Sequence, residues 1–191
     1  MPRYSFAQTE QTSCGAASLA TAVAELNHAG GGGIGAAEIP LFEKIKYPDR
    51  SGSDPTKLAF HAAKIMMKKV TILEDTARTG GLVGKLDKTA KAQYAALVSY
   101  EPAPTTGIKK EDRALAASDL QGGARALLVC IIAGTALMHY VLARHDGGSL
   151  WIMNPDGGTD SQVGLHSLAQ VPVTIGGVGY IYTGIAIVIS N

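Results

Sequence analysis

Cysteine occurs only twice in these 191 residues, at positions 14 and 130, tryptophan once and phenylalanine three times. Two cysteines cannot form the disulfide framework of a small secreted domain. Neither lies in a Cys-x-x-Cys or Cys/His spacing that would hold zinc, so a reduced compartment is the simpler expectation and no metal or cofactor is implied. Charge is sparse as well: 17 Lys and Arg face 16 Asp and Glu, a formal net charge of +1, with basic doublets only at 68–69 and 109–110. That balance gives no reason to expect a nucleic-acid partner or an anionic membrane surface. The N-terminus, MPRYSFAQTEQTSCG, has no apolar run after its arginine, so it does not read as a secretory signal peptide. The expected location is the cytoplasm, or the exterior by a signal-peptide-independent secretion system. Two apolar stretches are long enough to test as membrane spans. The first, 126–143, is broken by Gly134-Thr135 and carries His139; the second, 171–190, lacks charge but is rich in glycine and β-branched residues and alternates through IYTGIAIVI. Both read as buried strands, and no stable membrane association is expected.

What is present suits one globular domain spanning 1–191, because a chain of this length that is 46% hydrophobic can bury a core. Leu19, Val23 and Leu26 recur at helical spacing among alanines, which predicts a helix over 14–27 that ends at the glycines of 30–33, read as a flexible loop. Residues 36–54 read as a short helical piece followed by a loop. Asp54-Pro55 forms a cap and first turn for a helix over 55–67, with Leu58, Ala62, Ile65 and Met66 as its apolar face. A strand is predicted at 69–75, a helix at 87–100, an exposed loop over 101–112 and a helical turn at 113–121. Beyond Gly122-Gly123 the chain is β-rich, with DGGS at 146–149 marking a hairpin. The pattern is α+β, a helical first half packed on an antiparallel sheet.

A thiol is nucleophilic only as thiolate, and a helix N-terminus favours that form through its unpaired N–H groups and dipole. Cys14 stands at the predicted start of the first helix, followed by the small residues Gly15, Ala16 and Ala17. Cys130 lies within LLVCIIA and reads as core packing. The nucleophile needs a base from among His28, His61, His139, His145 and His166. Only His139 has an evident orienting partner. It opens the strand HYVLA, whose hairpin partner SLWIM ends at Asn154-Pro155-Asp156, so an antiparallel pairing brings Asn154 beside the imidazole. The competing reading of His139 is a core histidine, and that of Asn154 is ordinary turn chemistry.

Gln8, six positions before Cys14-Gly15 and a small-residue helix, then LQGGARALLVCIIA, Met138-His139-Tyr140-Val141 and Asn154-Pro155 together resemble the papain-like superfamily. More narrowly, they are similar to the bacteriocin-processing (C39-like) cysteine peptidases. The resemblance anchors both ends of the chain, whereas 28–115 matches only as generic helices and loops. It implies a papain-like fold with Cys14 as nucleophile, His139 as base and then acid, Asn154 as the residue that holds the imidazole, and Gln8 as oxyanion donor. Asp156 is the alternative orienter and Gln11 the alternative donor. Two departures stand out: Ser13 and Asn154 occupy positions where members of the bacteriocin-processing family often carry Asp. The implied reaction is amide-bond hydrolysis on a peptide or protein substrate, with the loops 34–54 and 100–112 as candidate walls of the cleft. The same residues would serve a secreted bacterial effector acting as a deamidase, acyltransferase or cell-wall amidase, for which an inhibitor or immunity protein is an expected partner. A third reading, from a different class, is an inactive papain-like binding module.

Overall fold

A computed structural model of the chain describes residues 3–49, 51–82, 88–135, 137–146, 148–164 and 173–191. The protein is a mixed α+β structure built on one eight-stranded sheet. The α-helices among the described residues are α1 (Cys14–Leu26), α2 (Ile34–Ile45), α3 (Pro55–Phe60), α4 (Thr76–Leu82) and α5 (Lys88–Val98). The strands are β1 (Lys69–Glu74), β2 (Ile108–Glu111), β3 (Arg125–Ile132), β4 (Met138–Asp146), β5 (Ser149–Asn154), β6 (Thr159–Val163), β7 (Val173–Ile175) and β8 (Val178–Ser190). Their order is β2-β1-β8-β3-β4-β5-β6, with β7 paired to β8. Among the described residues only β1 and β2 run parallel, and the other strand pairs are antiparallel.

Both faces of the sheet are covered, which explains why β3 reads as a nearly continuous apolar run. On one face Leu127, Val129, Tyr140, Leu142, Met153, Ile185 and Ile187 pack against α1, α2 and α3. On the other, Leu128, Cys130, Val141, Ile152, Tyr180, Tyr182 and Ala186 pack with Leu115 and Leu120. Helix α1 lies at the centre of the first core. Ala16, Ala17, Ala20, Ala22, Leu19 and Leu26 are buried with little side-chain entropy to lose, and only Val23 and Ala24 of the helix lie outside its buried set. Gly15 is required by this packing. A Cβ there would lie 2.6 Å from Ser53 Cβ and 2.8 Å from Leu58 Cδ1, so the small residue lets the start of α1 dock against α3.

Several sequence expectations need correction. The stretch 101–112, predicted as an exposed loop, contains β2, which extends the sheet from its β1 edge; its IKKE sequence carries no alternation that would have marked it. Of the glycines at 30–33, read as a flexible loop, Gly31–Gly33 form a 3-10 turn that leads into α2. The helix predicted over 55–67 starts as expected, with Asp54 Oδ1 accepting from the Thr56 N–H at 2.8 Å and Pro55 in the first turn. It then widens into a π turn over His61–Ile65. That change of pitch rotates the apolar face: Leu58 and Ala62 are buried, but Ile65 is 60% exposed. Among the described residues no helix is long and apolar enough to cross a membrane.

Candidate active site

Cys14 is buried, 7% exposed, at the first residue of α1. The first turn of the helix itself carries no acidic residue, and Ser13 forms no side-chain cap; its backbone N–H groups and dipole favour the ionised thiol. Burial is the largest single influence on the thiol and disfavours its ionised form. It is outweighed by the charge of His139, the hydrogen bond between the two side chains and the backbone bonds from Tyr140 and Gly15, so the thiol pKa falls below its ordinary 9.0. Cys130 has no such neighbours in sufficient strength, and burial pushes its thiol up to about 12.

His139 is the second residue of β4 and is 6% exposed. Burial again opposes its charge, but Cys14, Asn154 and the carboxylate of Asp156 raise the imidazole above its ordinary 6.5. The two shifts have one cause, since each group stabilises the charge of the other. Asn154, at the end of β5, faces the imidazole with Oδ1 2.8 Å from Nε2. The direction of this bond follows from the partners of the amide. Its Oδ1 also accepts the backbone N–H of Asp156 at 3.1 Å, and its Nδ2 donates to the Tyr180 hydroxyl at 2.8 Å. Oδ1 can therefore only accept, Nε2 carries the hydrogen, and Nδ1 is the nitrogen that serves the thiol.

Gln8 lies on the extended arm before α1. Its backbone N–H donates to the Pro155 carbonyl at 2.7 Å, placing it one residue along from Asn154 on the facing chain. The arm passes so close to the following turn that a Cβ on Gly158 would lie 2.7 Å from the Ala7 nitrogen. The side chain of Gln8 is turned to Gln11, whose backbone oxygen accepts from Nε2 at 2.8 Å. Nε2 carries a second N–H beyond that bond. Gln11 thus contributes its carbonyl here, and Asp156 its backbone N–H and nearby charge.

The other histidines lie elsewhere. His61 sits in the π turn after α3, where burial and the charge of Lys44 push its imidazole down. His28 follows the end of α1 with a positive φ of 52°, His145 is near the far end of β4, and His166 lies outside the described residues. A cavity of about 520 Å³ lined by Leu120, His145, Leu150 and Gln162 contains none of Gln8, Cys14, His139 and Asn154. Among the described residues no group of three or more His, Cys, Asp or Glu converges as a metal site.

Tyr180 has no motif to announce it in the sequence; it reads as one more aromatic of a buried strand. Its ring stacks on His139, with centroids 5.3 Å apart at 26°, while its hydroxyl receives the Asn154 amide. Tyr180→Phe would keep the stack and leave a buried amide N–H unpaired, a cost of about 1–3 kcal/mol. In the hydrolase reading proposed below, turnover is expected to drop about tenfold as Asn154 loses its fixed orientation, by the equivalence of about 1.4 kcal/mol per tenfold. The check is a comparison of kcat for Tyr180→Phe and Asn154→Ala, which should fall in the same direction.

No protein-family model matches the chain, and no curated protein matches it.

Proposed function

We propose that the protein is a cysteine hydrolase on a papain-like scaffold, cleaving amide bonds with Cys14 as nucleophile, His139 as base and then acid, Asn154 as orienter and Gln8 as oxyanion donor. The observation that carries this reading is His139 itself. It is bonded on one side to a thiol whose pKa is lowered and on the other, at 2.8 Å, to Asn154. A buried histidine with a purely structural role has no need of a thiol partner that stabilises its charge.

In this reading the thiolate adds to the substrate carbonyl. The developing oxyanion is met by the backbone N–H of Cys14 and the free N–H of Gln8, donors of a kind whose individual loss costs about 3–4 kcal/mol in the barrier. His139 Nδ1 then protonates the leaving amine, the C–N bond breaks, and a water activated by the same nitrogen releases the acyl group from the thioester. Burial of Cys14 and His139 keeps bulk water from solvating the charge pair before substrate arrives.

The test is to incubate the protein and its Cys14→Ala variant with a defined mixture of unmodified peptides and read the products by mass spectrometry. New peptide termini that require Cys14 support hydrolysis. Conversion of glutamine to glutamate without chain cleavage would move the reading to a deamidase, and new amide cross-links to an acyltransferase. Identical products from both proteins would contradict a catalytic Cys14.

A further inference from the structure

We infer that Glu38 is a positioning residue for the oxyanion step, clamping the short segment that joins Gln8 to Cys14. The inference rests on the hydrolase reading of that segment. Glu38 belongs to α2, a helix whose other buried residues, Ile34, Leu41, Phe42 and Ile45, are apolar. Its carboxyl is fully buried at 0% exposure, an expensive place for an acidic group unless it is well bonded. The bonds it makes are concentrated on two residues. The Thr9 backbone N–H lies 2.9 and 3.0 Å from its two oxygens, the Thr9 hydroxyl donates at 2.6 Å, and the Ser13 hydroxyl reaches Oε1.

Thr9 is the neighbour of Gln8, and Ser13 is the neighbour of Cys14. One carboxyl therefore holds the residues adjoining both the oxyanion donor and the nucleophile, while Gln8 is tied from the other side to Pro155. Within the segment the Ser13 N–H donates to the Glu10 carbonyl at 3.2 Å, and Ser13 Oγ lies 2.8 Å from the same oxygen. Oxyanion donors act by being in place before charge develops, so a loop held at both ends is what that chemistry needs. The thiolate has other supports in His139, Tyr140 and Gly15, none of which passes through Glu38. The clamp should therefore matter for carbonyl chemistry at Cys14 and much less for the reactivity of the thiolate as such.

Two probes separate those effects. Iodoacetamide reacts by displacement at carbon: a C–S bond forms, iodide leaves, and no oxyanion arises. p-Nitrophenyl acetate reacts by addition to a carbonyl: the C–S bond forms through an oxyanion, the C–O bond breaks, and p-nitrophenolate leaves. Both rates would be measured on the intact protein at Cys14, with mass-spectrometric site assignment, for wild type, Glu38→Gln and Ser13→Ala. Glu38→Gln has a single acceptor oxygen for donors that now use two. It is expected to slow acylation about tenfold or more while alkylation stays within about threefold; Ser13→Ala should show a smaller loss, about threefold, in acylation alone. A ratio of the two rates unchanged from wild type, or an equal fall in both, would overturn the role of Glu38. Should Glu38→Gln lack a cooperative thermal transition, Ser13→Ala and Thr9→Val decide by the same ratio. A wild-type Cys14 that alkylates only as an ordinary thiol would overturn the hydrolase reading and the clamp with it. That failure is visible in the alkylation arm alone.

Discussion

His139→Ala is expected to slow alkylation of Cys14 at pH 6 to 7 by at least about tenfold and to reduce hydrolysis by about 10³-fold or more. The sign follows from the balance at the thiol. Burial alone would raise its pKa above 9.0, and the imidazole supplies both the largest opposing influence and a hydrogen bond. Without His139 the burial effect has only the Tyr140 and Gly15 backbone bonds and the helix end against it, so the thiolate fraction at neutral pH falls by about tenfold for each unit of pKa regained. The variant should recover alkylation as the pH rises toward 9 and beyond, whereas hydrolysis should not recover, because the leaving amine still lacks its acid. A pH profile of both rates in wild type and variant checks the two halves of this expectation together.

Glu25→Gln is expected to destabilise the fold by about 3–5 kcal/mol, a large fraction of the roughly 5–15 kcal/mol that holds a domain together. Glu25 is fully buried near the end of α1. Its oxygens receive Arg125 from β3, Arg144 Nη1 from β4 at 2.6 Å, and the Tyr4 backbone N–H at 2.7 Å. Arg144 reaches onward to Asp160 on β6 at 2.9 Å, and Arg3 joins the same carboxylate at 3.2 Å. Burial, together with the nearby charge of Arg125, lowers the Arg144 guanidinium pKa, against the pull of Glu25 and Asp160. Removing the charge of Glu25 leaves two guanidinium groups close together in the interior. Because Tyr4 and Arg3 begin the arm that carries Gln8, the same change should also loosen the arm. Urea titration of Glu25→Gln followed by far-UV circular dichroism measures the first effect, and amide hydrogen exchange of residues 4–9 the second.

The difference between what was legible in the sequence and what was not has a physical basis. The β-rich half declared itself through local signals, namely apolar runs, glycine turns and the DGGS hairpin, and the pairing of Leu142 with Met153 and Ala143 with Ile152 delivers His139 and Asn154 to one end of one hairpin. The capped start of α3 was equally local. Glu25 and Glu38 were not legible because each is an acidic residue inside an otherwise apolar helical pattern. The donors that make its burial tolerable lie far away in sequence, 100 and 119 residues on for the arginines of Glu25, and 25 and 29 residues back for Ser13 and Thr9 of Glu38. Tyr180 was hidden for the same reason, since its partners sit on β4 and β5. Strand β2 lacked any apolar alternation, and the π turn after α3 altered a helical face that had been counted at 3.6 residues per turn. Short-range pattern located the pair that would do chemistry, and long-range polar contacts supply the scaffold around it.

In the proposed hydrolase Cys14 and His139 rest as a thiolate–imidazolium pair, which is tested by the rate of iodoacetamide modification of Cys14 in the purified, reduced protein from about pH 4 to about pH 9. Cys14 is expected to react rapidly well below pH 7, while Cys130, buried with its thiol pushed up to about 12, stays unmodified in the folded protein. A Cys14 rate that rises only as an ordinary thiol ionises, or a Cys14 that does not react at all, would contradict this expectation.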